Sequence, residues 1–368
     1  MSDVSAGGCP FGSAVRIGRK GHWEISDPEL VARLLRDPRV VASSSPVDTD
    51  APAAQQNLDG FISTWPVFSE QPEHLLIKRE LRAWFSTRAA DDLRPEFRAA
   101  ALISASSLET GSNLVSYARD AAIRTVSLML GSPDESDFSR IIDWAQSLMD
   151  YVISAERNDE TNSATAEMHE EFCVWFANCY LPQSDSPIPL GFRTLMDAGE
   201  ITLSHAVSMF AQLTTGALEP LTSGLVSVLL ESADSTQHRT KSEAVDLGLL
   251  HRAPFSYVPR GVEAPLTELS DRISAGDRVR LMIGEANYTS YVQRQQPTTE
   301  NAIRNLAFGL GPHFCFGYAV ATAHLEETYQ VLADQQLLSR IDPHSLLWHQ
   351  SPGGPRYEQL LLGPPKAQ

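Results

Sequence analysis

Cys315 stands in the stretch FGLGPHFCFG, residues 308–317, and is one of only four cysteines in a chain of 368 residues. A cysteine does chemistry as the thiolate, either as nucleophile or as metal ligand. Gly309 and Gly311 precede it and Gly317 follows it, so the backbone can turn sharply and come close to a flat ligand. A helix expected from Gly317 onward places Cys315 at a helix N-terminus. Unpaired N–H groups there donate to sulfur, and their partial positive charge lowers a thiol's pKa. Such surroundings suit a permanent thiolate ligand to iron; a buried core cysteine in a glycine-rich loop is the reading that the residues alone leave open. The remaining cysteines, Cys9, Cys173 and Cys179, form no close-spaced framework, and no CxxC or HxxxH pair points to zinc. Cys173 and Cys179 flank CVWFANC and read as core fillers, and scattered cysteines in a large chain read as reduced and cytoplasmic.

The elements that must position Cys315 are mostly helical. Apolar spacing and end signals predict helices over residues 27–37, 72–88, 92–109 and 118–131, the first opening at Asp27 and the last ending at Gly131. A longer periodic segment, residues 204–230, would reach about 40 Å as a helix and so cross the domain. Gly216 and Pro220 lie inside it and predict a distortion near its middle. Beyond residue 250 the texture turns to strands and turns, with ISAGDRVRLMIG reading as a Gly-Asp turn and a buried strand. From Gly317 the chain is helical again, with Ala319, Ala323, Leu325 and Val331 on one face. The expectation is a mainly α protein with a small β subdomain: a flexible segment over 1–20, then a single domain over 21–368.

With 29 Lys plus Arg against 46 Asp plus Glu, the chain carries a net charge of −17. That balance argues against nucleic acid, whose phosphates call for a basic surface. No uninterrupted apolar run approaches the ~20 residues of a membrane span, and the first residues lack a secretory signal's basic start and apolar core.

FGLGPHFCFG resembles the cysteine-ligand loop of the cytochrome P450 family at Phe308, Gly311, Cys315 and Gly317. The helix after it is similar to the family's A-x-x-x-A-R-L-E, with His324 in place of the Arg. PEHLLIKR resembles the family helix whose His and basic residue reach the haem propionates, here His74 and Lys78, four apart and so on one helical face. Arg260 and His313 stand where the family has further propionate partners. The resemblance covers nearly the whole chain and implies a P450-like fold with a long helix over haem b, the iron held by the Cys315 thiolate. A thiolate ligand pushes electron density to iron and favours O–O cleavage.

Two motifs depart from the family. Its A-G-x-[DE]-T reads here as Gly216, Ala217, Leu218, Glu219 and Pro220, so the oxygen-activating Thr hydroxyl is missing. The ExxR motif is absent: alignment through Pro254 and Arg260 puts Gly248 and His251 at the Glu and Arg positions, and the meander after it is shortened. Arg252 and Arg294 are candidates to replace part of the lost ion network. Losing all of its members together avoids leaving one charge unpaired, at ~3–5 kcal/mol.

The resemblance implies a haem-thiolate monooxygenase that inserts oxygen into a small-molecule or peptide substrate, as a tailoring step in secondary metabolism. Electrons would come from a ferredoxin-type partner docked near Lys78, Arg79 and Arg82. Glu219 would relay protons, beside Ala217 and Pro220, and Phe61, Trp65, Phe68, Leu213, Leu218 and Tyr257 would line the substrate pocket. Pro220 keeps open a peroxide-driven enzyme that needs no redox partner. A non-catalytic P450-like helper subunit is the reading outside enzymes, and the complete cysteine loop argues against it.

Overall fold

The computed structural model describes residues 14–18, 21–43, 50–70, 72–131, 135–153, 159–182, 186–233, 239–270, 272–294, 305–351 and 353–365. Cys9 lies outside them, as does the part of the meander over residues 295–304.

The helix Leu203–Ala233 is the spine of the molecule, continuous through Pro220. It is long and apolar enough to cross a membrane by composition, yet 72% of its most apolar window is buried inside the protein, where the helix serves as the core of the fold. Helices Leu114–Leu130, Lys241–His251 and Tyr318–Asp334 pack along it. Local signals set the ends of these elements. Asp27 accepts from the Leu30 N–H at 2.9 Å to start helix Pro28–Leu34. Thr240 and Glu243 form a capping box before helix Lys241–His251. Gly131, at φ 91°, closes helix Leu114–Leu130 in the left-handed conformation that only glycine takes up freely.

Gly248 controls how closely the helix Lys241–His251 approaches the spine. A Cβ at Gly248 would lie 2.5 Å from Val228 Cα and 2.9 Å from Val228 N, so the backbones touch where a side chain would stand. At Gly224 the nearest atoms to such a Cβ are side-chain ends, at 3.3 Å and beyond. A glutamate at position 248 therefore has no room.

Five strands make the β subdomain: β1 Val15–Ile17, β2 Trp23–Ile25, β3 Val40–Ala42, β4 Val258–Val262 and β5 Arg278–Leu281, ordered β1-β2-β5-β4-β3. Arg260 faces Val279 on one side and Ala42 on the other, so the centre of the sheet fixes its position. A hairpin, β6 Ile341–Gln350 with β7 Pro355–Leu362, completes the fold.

Several expectations need correction. The sheet begins within residues 1–20, because β1 pairs with β2 from Val15 to Ile17. The helix expected over 72–88 breaks into Pro72–Glu80, a 3₁₀ turn Leu81–Ala83 and a new helix from Thr87, capped by Ser86. Cys173 is half-buried, but Cys179 is exposed on the π-helical turn Phe176–Tyr180, whose buried side is taken by Phe176 and Tyr180.

Burial disfavours the charged form of several imidazoles. Burial pushes His74, His169 and His324 down to about 4, with Lys78 adding to the effect at His74. Histidine in an unfolded chain titrates near 6.5, so unfolding between pH ~4 and ~6.5 takes up protons. The stability these groups permit is complete above pH ~6.5 and is lost as pH falls toward ~4. The unfolding midpoint of the haem-free protein is expected to drop on acidification through this window. His324→Leu should flatten that slope, which thermal unfolding at a series of pH values measures.

Candidate active site

Cys315 lies in the wall of an internal cavity with about 1650 Å³ of empty space, part of it open to solvent. The loop that carries it is built on left-handed glycines. Gly309 has φ 68° and Gly311 φ 71°, and a Cβ at Gly311 would lie 2.4 Å from the Leu35 carbonyl. The Cys315 N–H donates to the Phe308 carbonyl at 2.9 Å and closes the loop. Gly317 then caps the helix Tyr318–Asp334. Burial pushes the Cys315 thiol up, against the pull of a Gly317 backbone hydrogen bond and of Lys78. Desolvation thus outweighs the helix N-terminus in the metal-free protein, contrary to the lowered pKa expected from sequence. A metal deprotonates such a thiol outright.

The long helix presents Leu213, Gly216, Ala217, Pro220 and Leu221 to the same cavity. Lys78, Arg260 and His313 line it as well. Arg260 is 4% exposed and donates to the Pro259 carbonyl at 2.8 Å. Burial lowers its pKa to about 10, against the opposing pull of Glu70. Burial also lowers Lys78, which Cys315 and Glu70 favour as a cation. His313 Nε2 lies 2.8 Å from Glu70 Oε1, while its Nδ1 is buried without a hydrogen-bond partner. His74, one turn before Lys78, is 3% exposed, lies off the cavity wall and has both ring nitrogens buried and unpaired. Buried polar groups are normally hydrogen-bonded, so these imidazoles are short of partners.

That set fits a haem: a thiol in the wall of a largely apolar cavity, with buried cationic and imidazole donors that two carboxylates would satisfy. Arg260→Leu and His313→Leu are each expected to weaken hemin affinity about tenfold, the scale of one charge-assisted hydrogen bond. Hemin transfer to a scavenging apoprotein gives the rate that checks this.

Other residues singled out in the sequence fall elsewhere. Glu219 lies off the cavity wall, and its Oε2 is 2.9 Å from Arg356 Nη1 of β7. Phe61 packs on His169 with ring centroids 4.0 Å apart, and Trp65 is 2% exposed and stacks with Phe68. From that segment it is Pro66 and Val67 that line the cavity. Leu218 is buried in the core on another face of the long helix, and the Tyr257 ring lies under Arg280 at 4.5 Å. Phe255 and Val258 line the cavity in place of Tyr257.

A polar network runs where the ExxR motif is missing. Glu231, at the end of the long helix and 4% exposed, accepts from Arg239 at 2.8 Å and from the Tyr291 hydroxyl at 3.1 Å. His251 Nδ1 lies 2.8 Å from its other side, and the His251 ring stacks on Tyr291 at 4.2 Å. Burial raises the Glu231 carboxyl, but His251, Arg239 and Tyr291 together hold it below the ordinary range. Arg252 packs beside His251 at 3.0 Å, and Arg294 pairs with Asp246 at 2.6 Å, so both arginines considered from sequence join this region. Reading the motif one residue earlier gives Leu247 and Leu250, which carry no charge either.

Fully buried Asn287 connects this region to the cysteine loop. Its Nδ2 donates to the Leu249 carbonyl at 3.3 Å and to Asn305 at 2.9 Å, and its Oδ1 accepts from the Leu306 N–H at 2.8 Å. Sequence reasoning missed Glu70, Gln212, Glu231 and Asn287. A buried Glu near the end of an apolar helix was the only available signal, for Glu231.

No family model matches the chain. Curated relatives do. Cytochrome P450-SU2 of Streptomyces griseolus is 24% identical, with 89% of this chain and 87% of that protein covered. Mycinamicin VIII C21 methyl hydroxylase of Micromonospora griseorubida is also 24% identical, with 83% and 80% covered. Among solved structures, the P450 monooxygenase TamI with bound tirandamycin C superposes with a TM-score of 0.75 at 22% identity, over 95% of this chain and 92% of that one. P450BioI in complex with a hexadecenoyl-loaded acyl carrier protein gives 0.76 at 18% identity, over 95% of both chains.

The chain has the cytochrome P450 fold and is similar, over most of its length, to bacterial cytochrome P450s. It departs from those relatives' family pattern in lacking ExxR and in having Pro220 in place of the Thr. The likeness implies haem b with a cysteine thiolate ligand as cofactor; oxidation of a small molecule with electrons from a redox partner is the activity of that family. Cys315 and residues of the long helix line the same cavity.

Proposed function

We propose that this P450 is a tailoring monooxygenase that inserts one oxygen atom into an apolar secondary metabolite. The observation that carries the reading is one large apolar cavity lined by Cys315, by Gly216, Ala217 and Pro220 of the long helix, and by Lys78, Arg260 and His313. Bound haem supplies oxygen activation. The chain's own residues do the rest. Cys315 would hold the iron, and Lys78, Arg260 and His313 would hold the propionates. Phe255, Val258 and Leu213 exclude water and shape the substrate's seat.

A ferredoxin-type partner would dock on the cysteine side of the molecule. Phe314 and Tyr318 are exposed there, and Leu75, Arg79 and Arg82 on the neighbouring elements are exposed too. Lys78 belongs to the cavity rather than to this face. Local basic charge on an acidic protein suits an acidic partner. Free Cys173 and Cys179 accord with a reducing cytoplasmic setting.

One observation favours a second reading. Pro220 brings no hydroxyl to the cavity, and Glu219 is engaged by Arg356, so neither supplies protons there. A peroxide-driven reaction would not need that delivery. The two readings separate in one assay: turnover of a macrolide and polyketide panel with NADPH and a surrogate ferredoxin and reductase, against turnover with hydrogen peroxide alone. The proposal expects oxygenated products only with the electron donors. Products from peroxide alone, with none from the donors, would establish the second reading.

A further inference from the structure

Gln212 and Gly216, one helical turn apart on the long helix, both line the cavity. The Gln212 Oε1 is buried without a hydrogen-bond partner. The amide is folded back over Gly216, because a Cβ on Gly216 would lie 2.8 Å from Gln212 Nε2. Gly216 lines the cavity one turn further on, and the helical donor to its carbonyl would be residue 220. That residue is Pro220, which has no N–H. The hydroxyls along this helix do not make up for it. Thr214 bonds to Phe210 and Ala211, Thr215 to Ala211, Thr222 to Leu218, Ser223 to Glu219 and Ser227 to Ser223.

Core packing does not call for this arrangement. A leucine at position 212 would bury similar volume and leave no unsatisfied oxygen, and the neighbouring wall residues Leu213, Ala217 and Leu221 are apolar. We infer that Gln212 and the Gly216 carbonyl form a recognition site for a hydrogen-bond donor, a hydroxyl or an amide N–H, on the molecule that fills the cavity. The inference rests on the monooxygenase reading above and adds the chemistry of the substrate. Binding the donor at this patch sets which end of the substrate is turned toward Cys315. Gln212 Oε1 and the Gly216 carbonyl accept protons and give none, so they orient a ligand and do not replace the proton delivery of the missing Thr. An ammonium group fits less well than a hydroxyl, because the nearest acid along the helix, Glu219, is off the wall and paired with Arg356.

The test titrates the holoprotein with 1-alkylimidazoles and matched ω-hydroxyalkylimidazoles in a graded series of chain lengths, following the Soret band. The imidazole ligates the iron, and the chain carries the hydroxyl along the cavity. At one chain length, the preference for the hydroxyl member over its alkyl match is expected to fall about fivefold to tenfold in Q212L, the scale of one hydrogen bond. Q212E, which keeps an acceptor, should retain the preference. Equal preferences in the wild type and Q212L at every length would overturn the recognition site while leaving the haem reading intact. No Soret change with any imidazole would overturn the haem reading and this inference with it.

Discussion

Cys315→Ser is expected to abolish oxidation, by at least about a thousandfold, a loss of roughly 4 kcal/mol of barrier lowering. The hydroxyl keeps the size of the thiol, but it does not ionise to a ligand of comparable electron donation, and that push is the contribution of a thiolate to O–O cleavage. The substitution leaves the rest of the haem site in place. Lys78, Arg260 and His313 still line the cavity, and the Phe308 carbonyl still accepts the backbone N–H of residue 315. Some hemin binding should therefore persist, in a protein that unfolds near the wild-type midpoint. Retention of turnover by this variant would mean that the iron is held elsewhere.

The second large effect is expected far from the iron. Gly248→Ala puts a methyl group 2.5 Å from Val228 Cα, against backbone that no rotamer change can move. The helices Lys241–His251 and Leu203–Ala233 must separate, at a cost toward the upper end of the 1–3 kcal/mol that overpacking takes, about 3 kcal/mol. Gly224→Ala is the matched control, because its methyl would meet only side-chain ends of Leu249, Pro254 and Leu325 at 3.3–3.7 Å. The damage at position 248 should reach the active site. The Leu249 carbonyl accepts from Asn287, and Asn287 holds the Leu306 N–H at the start of the cysteine loop. Gly248→Ala is thus predicted to lower the unfolding midpoint and to speed hemin loss, with Gly224→Ala close to wild type in both. Equal stability of the two variants would contradict the close helix contact.

This contact also bears on the missing motif. A buried ion pair stripped of one member leaves a costly unpaired charge. Here the helix has closed onto the spine at Gly248, and a different buried carboxylate, Glu231, is satisfied by Arg239, His251 and Tyr291. The family's network has been exchanged for another.

The sequence showed the parts of the site whose chemistry is local. Cys315 with its glycines, and Lys78, depend on spacing within one loop or one helix and stand in the cavity lining, whereas His74 of the same helix lies off it. Arg260 was legible through the short stretch before it. The aromatic residues of the 60–68 segment were not. Whether Phe61 faces the cavity or the core is decided by His169, about a hundred residues later, which takes the face of its ring. Glu219 was misplaced for a similar reason. Its partner Arg356 comes from the last hairpin, and only folding brings the two together. Asn287 gave no signal at all, because its role is to tie backbone groups at 249 and 306 that are distant in sequence.

The most direct test of the account is the absorption spectrum of the purified protein, oxidised and then reduced with dithionite under carbon monoxide. Cys315 as thiolate ligand predicts the red-shifted Soret band that names the family, present in the wild type and lost in Cys315→Ser. A protein that takes up no hemin, or one whose reduced carbon monoxide band is the same with serine at position 315, would contradict it.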